Sequence, residues 1–176
     1  MLKEKYAEEI AGILQRFPNK KSAVLPLMHL AQNEYGHMSR EAMVEVAAIC
    51  DLDPTHVLSL SGFYTLFNED EVGTYVLEVC NDLACALRGA DEFLEKASNK
   101  LDCPVEGTSP DGMFTLKGVM CLAACDRAPM LQCNLKYHEH LNEEKFDALV
   151  EEWRETAVSG KKESSVVEKI TAYASK

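Results

Sequence analysis

Two short segments carry the residues best placed to do chemistry: Cys80-Asn81-Asp82-Leu83-Ala84-Cys85 and Cys121-Leu122-Ala123-Ala124-Cys125. They read C-x4-C and, after residues 86–120, C-x3-C, so four soft thiolate ligands arrive as two closely spaced pairs. Such a set suits a tetrahedral zinc ion or a [2Fe-2S] cluster, in which each iron takes two cysteines. Zinc would make the site a structural staple, whereas iron and sulfide would make it an electron carrier. A thiol redox pair matches less well, because that chemistry favours C-x2-C beside a helix start and neither pair has that spacing. A Rieske centre needs two histidine ligands, and no histidine lies between Cys80 and Cys125. Spacing alone leaves zinc and the cluster both open. The small apolar residues Leu83, Ala84, Leu122, Ala123 and Ala124 favour the cluster, since they let backbone N–H groups come close to sulfur.

The elements around these loops must deliver both pairs to one place. Thr74-Tyr75-Val76-Leu77-Glu78-Val79 is β-branched and aromatic and runs directly into Cys80, which puts the first pair at a strand end. After Cys85, Leu87, Ala90, Phe93, Leu94, Ala97 and Leu101 follow helical spacing. Residues 103–112 are turn-rich and read as a loop, with Pro104, Gly107, Ser109-Pro110 and Asp111-Gly112 as signals. Met113 to Leu116 and Val119-Met120 read as strand pieces leading into Cys121. Pro129 to Cys133 is a short strand, Asn134-Leu135-Lys136 a turn and Tyr137-His138-Glu139 its hairpin mate. Asn142 caps a last helix carrying Phe146, Leu149, Val150 and Trp153. The order β-α-β-β-β-α is the plan of a thioredoxin-like domain with a mixed sheet.

The first seventy residues are helical by pattern. One helix is expected over 3–17, a second over about 22–35 with Gly36 as its stop, and a third after the N-cap Ser39. Asp53-Pro54 then opens a fourth helix, in which Val57, Leu60, Tyr64 and Phe67 share a stripe. The expected fold class is therefore α+β: an N-terminal helical bundle over 1–72, a thioredoxin-like α/β domain over 73–158 and a polar tail over 159–176. Cys50 and Cys133 read as buried packing groups and Cys103 as an exposed loop residue. Phe63, Tyr64 and Phe67 read as core, with a partner-facing place left open for some of them, Glu69-Asp70-Glu71 as a solvated turn, and His138-x-His140 as a solvated strand edge rather than a metal pair.

Composition narrows the function classes. The chain is 47% hydrophobic and 27% charged, as a globular protein is, and its formal net charge is -11. That balance, without a Lys/Arg cluster, argues against nucleic acid as a partner. The charged N-terminus has neither the apolar core of a signal peptide nor the character of a transit peptide, and no apolar run approaches the roughly 20 residues that span a bilayer. A cytoplasmic protein without direct membrane insertion is expected, and seven cysteines in a reducing compartment suit ligands and packing better than disulfides.

The two cysteine loops, with Thr108-Ser109-Pro110-Asp111-Gly112 and Ala124-Cys125-Asp126-Arg127-Ala128-Pro129, resemble the 24-kilodalton subunit family of NADH:quinone oxidoreductase, respiratory complex I. The same family supplies diaphorase subunits of NAD-dependent hydrogenases and formate dehydrogenases. The resemblance extends to Ala23-Val24-Leu25-Pro26, Tyr35-Gly36 and Gly62-Phe63-Tyr64-Thr65-Leu66-Phe67-Asn68, and so covers about residues 5–155. It implies one [2Fe-2S] cluster held by Cys80, Cys85, Cys121 and Cys125. It also implies a flavoprotein partner carrying FMN, the NADH site and a [4Fe-4S] cluster, among other peripheral-arm subunits at the inner face of the cell membrane. Hydride chemistry belongs to that partner, since this chain has no G-x-G-x-x-G loop after a strand. The implied role is that of a one-electron carrier within an NADH dehydrogenase.

This chain departs from the family pattern at two positions: many relatives have Glu before the third ligand and Gly two residues after it, where Met120 and Ala123 stand here. A carboxylate beside an anionic cluster opposes reduction, so its absence raises the potential. In an EPR redox titration, Met120→Glu is expected to move the midpoint downward; an unmoved midpoint would contradict the assignment.

Overall fold

In the computed structural model, residues 1–158 are described, and they fall into two compact units, Met1–Glu71 and 72–158. The tail expected over 159–176 lies outside the described residues. Among the described residues no helix is long and apolar enough to cross a membrane.

The first unit is helical: α1 (Leu2–Lys5), α2 (Ala7–Gln15), α3 (Val24–Tyr35), α4 (Arg40–Cys50) and α5 (Pro54–Phe63), with a 3-10 turn at Lys20–Ala23 before α3. Local chemistry sets most of its boundaries. Ser39 caps α4 through the Ala42 N–H, Asp53 caps α5 through the Thr55 N–H, and Gly36, at φ +82°, ends α3 in the left-handed conformation that glycine adopts without a Cβ penalty. Leu27, Met28, Ala31, Val46, Ala47 and Val57 fill its core.

Two expectations for this unit need correction. The single helix over 3–17 is broken at Tyr6, whose backbone leaves the helical region at φ -122°, ψ 35°. The break accompanies burial of Leu2 and a hydrogen bond from the Tyr6 hydroxyl to Glu34 at 2.7 Å, neither of which local spacing encodes. Of the three aromatics assigned to the core, only Phe67 is buried; Phe63 is 76% and Tyr64 40% exposed. The reason is that α5 stops at Phe63 and Tyr64 is extended, so helical spacing no longer applies, and Phe67 comes back beneath His29 with ring centroids 4.7 Å apart.

The second unit is a five-stranded mixed sheet: β1 (Tyr75–Cys80), β2 (Gly107–Thr108), β3 (Phe114–Val119), β4 (Leu131–Cys133) and β5 (Lys136–His138), in the order β2-β3-β1-β4-β5. β1 and β3 are parallel, with Tyr75 opposite Phe114 and Cys80 opposite Val119; the other pairings are antiparallel. The helices are α6 (Leu83–Ala86), α7 (Ala90–Leu101) and α8 (Glu143–Val158). Strand alternation sends Tyr75, Leu77 and Val79 of β1 and Phe114 and Leu116 of β3 into one core with Phe93, Leu94 and Ala97 of α7 and Phe146, Val150 and Trp153 of α8. Tyr75, Phe114 and Trp153 pack as a triangle of rings, with centroids 5.8, 5.7 and 6.3 Å apart. Such aromatic contacts contribute about 0.5–1.5 kcal/mol each beyond area burial.

The fold is α+β and thioredoxin-like, as the element order predicts, with differences in detail. The loop over 103–112 contains β2, and Cys103 is buried rather than exposed, its Sγ 3.2 Å from the Gly107 carbonyl. β3 is one strand rather than two pieces. The helix after Cys85 is interrupted at Gly89, φ +87°, which leaves Leu87 79% exposed instead of in the core.

Gly73 supplies the close approach that starts β1. A Cβ there would lie 2.8 Å from the backbone carbons of Met113 and Phe114, and its N–H donates to Thr115 Oγ1 at 2.7 Å. Gly73→Ala is expected to destabilise this unit by about 1–3 kcal/mol, as overpacking does. Urea unfolding followed by fluorescence of Trp153, the single tryptophan, reads this directly; an unchanged midpoint would contradict it.

Candidate metal centre

The sheet brings the two cysteine segments together because β1 and β3 are parallel neighbours. Cys80 is the last residue of β1, and Cys121 follows the end of β3 by two. Just past the strands the Asn81 N–H still donates to the Val119 carbonyl at 3.1 Å, so both segments leave from the same end of the sheet. Asp82 then caps α6 by accepting from the Leu83 N–H at 2.8 Å, and that single turn returns the chain to Cys85. On the other side, residues 125–127 form a 3-10 turn, and Ala124, Ala128 and Met130 join Cys80, Cys85 and Ala90 in a small apolar cluster beneath the site.

The pairs differ in exposure. Cys80 and Cys85 are buried, and a hydrogen bond links their thiols; Cys121 and Cys125 are exposed, with sulfurs 3.4 Å apart. Burial, the Cys80 contact and the charges of Cys125 and Cys121 push the Cys85 thiol up to about 12. The Cys125 thiol is raised by its hydrogen bond with Cys121 and by the charges of Cys121 and Cys80. Each pair therefore senses the other. Four negative thiolates at such a place oppose one another and call for cationic compensation, which bound iron or zinc supplies as protons leave.

Among the described residues, no three or more His, Cys, Asp and Glu side chains converge on a position for one ion. The sulfurs are grouped two and two, and two neighbouring pairs meet the demand of a [2Fe-2S] cluster for two cysteines per iron. The donor set fits that group. Of the other cysteines, Cys50 is buried in the core of the helical unit, and Cys103 and Cys133 are buried in the main core of the α/β unit. The His138 ring stands edge-on to Trp153 at 5.4 Å, in keeping with a packing role.

Several residues that spacing did not single out hold the exposed pair. The Tyr137 hydroxyl donates to the Leu122 carbonyl at 2.8 Å. Arg127 Nη1 donates to both carboxylate oxygens of Glu139 at 2.8 and 2.9 Å, and the His140 N–H donates to the Arg127 carbonyl. The second strand of the hairpin, with the residues just after it, thus grips the loop before the hairpin. Tyr137 had no signal beyond its place in a short strand, whereas Arg127 lies in the segment following the fourth cysteine. The Ala123 N–H donates to Cys121 Sγ at 3.3 Å, and Ala123 sits at φ +60°. A left-handed alanine costs about 1–2 kcal/mol, a strain that glycine, without a Cβ, does not carry. Met120 is 76% exposed, so water screens any charge placed there and the effect of Met120→Glu on potential is correspondingly moderated.

Comparison with known proteins bears on the family of the whole chain. The model of the thioredoxin-like [2Fe-2S] ferredoxin family matches residues 10–154. The chain is 37% identical over 147 residues to an NADH-quinone oxidoreductase subunit of Rhizobium meliloti (strain 1021), covering 84% of this chain and 88% of that one. It is 36% identical over 144 residues to the corresponding NADH-quinone oxidoreductase subunit of Rickettsia prowazekii (strain Madrid E), covering 80% and 81%. Among solved structures, a chain of an NAD+-reducing [NiFe]-hydrogenase in the air-oxidised state superposes with a TM-score of 0.64 over 74% of this chain. At 16% identity that likeness concerns the fold, and this chain spans only 23% of the hydrogenase chain.

Proposed function

The chain belongs to the thioredoxin-like [2Fe-2S] ferredoxin family, and from that premise we propose that it is an electron-transfer subunit of an NADH:quinone oxidoreductase of the complex I type. The carrying observation is the pairing of four thiols at the ends of two parallel strands, in a chain more than a third identical to NADH-quinone oxidoreductase subunits over most of its length. In this reading Cys80, Cys85, Cys121 and Cys125 are the ligands of one [2Fe-2S] cluster. When bound, the cluster supplies one-electron exchange with FMN on a partner flavoprotein, which carries the NADH site. The chain's own part is position and potential. The buried pair anchors the site in the α/β unit, the exposed pair places it at the surface, and the hairpin contacts through Tyr137 and Arg127 fix the exposed loop.

The same reading places the chain in the cytoplasm, peripheral to the inner face of the cell membrane, with the α/β domain over 73–158 as the cluster domain and 1–72 as a helical domain. A second reading, a diaphorase subunit of an NAD-dependent hydrogenase or formate dehydrogenase, is favoured by the fold it shares with the NAD+-reducing hydrogenase. Co-purifying subunits distinguish the two: hydrogenase or formate dehydrogenase subunits support the second reading, and subunits of a quinone reductase the first. Within a purified complex I assembly, Cys121→Ser is expected to keep the flavoprotein bound, to preserve part of quinone reduction and to change peroxide production with NADH. Unchanged peroxide from a fully assembled complex would reject a role in drawing single electrons from the flavin.

A further inference from the structure

One peptide unit in the exposed loop is held at both ends. The Ala123 N–H donates to Cys121 Sγ at 3.3 Å, and the carbonyl of that same peptide, on Leu122, accepts from the Tyr137 hydroxyl at 2.8 Å. Ala123 is in the left-handed region at φ +60°, a conformation that alanine leaves readily when nothing holds it. The orientation that aims this N–H at sulfur is thus secured from the carbonyl side, by a residue well beyond Ala123 in sequence.

We propose that Tyr137 is a positioning residue that tunes the cluster through the Leu122–Ala123 peptide; this rests on the reading of Cys121 as a cluster ligand. Reduction adds negative charge to a cluster, and hydrogen bonds to its sulfur ligands stabilise that charge and raise the potential. A hydroxyl donating to the carbonyl polarises the amide and makes its N–H a stronger donor to sulfur. Tyr137 also stops the peptide from turning its N–H toward water. The tyrosine backbone is fixed independently of its hydroxyl. β5 pairs with β4 through Tyr137 and Gln132, and the Arg127–Glu139 ion pair and the His140 N–H to Arg127 carbonyl bond tie the same arm to the loop. Removing the hydroxyl alone therefore leaves the arm in place.

Tyr137→Phe tests this in the full chain purified with its partners. Iron and sulfide content should match wild type. The reduction equilibrium should fall by about three- to tenfold, which for one electron is at most about 59 mV toward negative potential. Deuterium exchange across 121–125 should accelerate, while the neighbouring Lys136→Ala leaves both readouts unchanged. An unmoved midpoint with normal loading would overturn the proposal. Should Tyr137→Phe load poorly, the midpoint of the loaded fraction, which alone gives an EPR signal, decides: a value equal to wild type would overturn the proposal and a fall would support it. A wild-type chain without any [2Fe-2S] cluster would defeat the ligand reading itself and with it the tuning proposal, a failure separate from an unmoved midpoint.

Discussion

Everything at the candidate centre depends on the parallel pairing of β1 with β3. Parallel neighbours end on the same side of a sheet, so a cysteine segment appended to each strand is delivered to one place without a dedicated scaffold. An antiparallel pairing would send the two segments to opposite ends. The connection that parallel pairing requires is made through α6, α7 and β2. That connection also serves the core, because α7 covers the sheet with Phe93, Leu94 and Ala97. This agrees with the general habit of α/β sheets to bind their groups beyond the carboxyl ends of strands.

The second constraint is charge. Burial and then the neighbouring thiols oppose ionisation of Cys85, and the bond and charge of Cys121 oppose that of Cys125; a metal group relieves this opposition while binding. Burial is divided unequally between the pairs. Cys80 and Cys85 sit in an apolar floor of small residues, which fixes their geometry, whereas Cys121 and Cys125 face outward. An electron carrier benefits from both: a rigid inner attachment and a surface at which a partner approaches. The exposed side then needs its own restraint, and the β4–β5 hairpin supplies it through side-chain contacts from Tyr137 and Glu139.

Sequence made legible what is set by local chemistry. The caps Ser39 and Asp53, the stop at Gly36 and the strand preceding Cys80 all follow from side-chain type and short-range spacing. Both cysteine pairs stand out in the same way, and their shared location follows from the strand that feeds each. Features fixed by distant partners were not legible. The break at Tyr6 goes with a bond to Glu34, on a different helix. The two-residue strand β2 exists only through pairing with β3, and it helps enclose Cys103, which turn signals alone place at the surface. Leu87 keeps helical spacing on paper, but the left-handed Gly89 redirects the chain before that spacing takes effect. Tyr137 is the same kind of case: its contact with Leu122 spans a hairpin whose register no single residue announces.

The central claim is that two cysteine pairs at one end of the sheet hold one binuclear iron–sulfur group. Iron and acid-labile sulfide analysis of the anaerobically purified chain, taken with its visible spectrum, tests this most directly. About two irons and two sulfides per chain are expected, with the red-brown absorption of a [2Fe-2S] cluster. A colourless protein carrying a single zinc ion and no sulfide would contradict it.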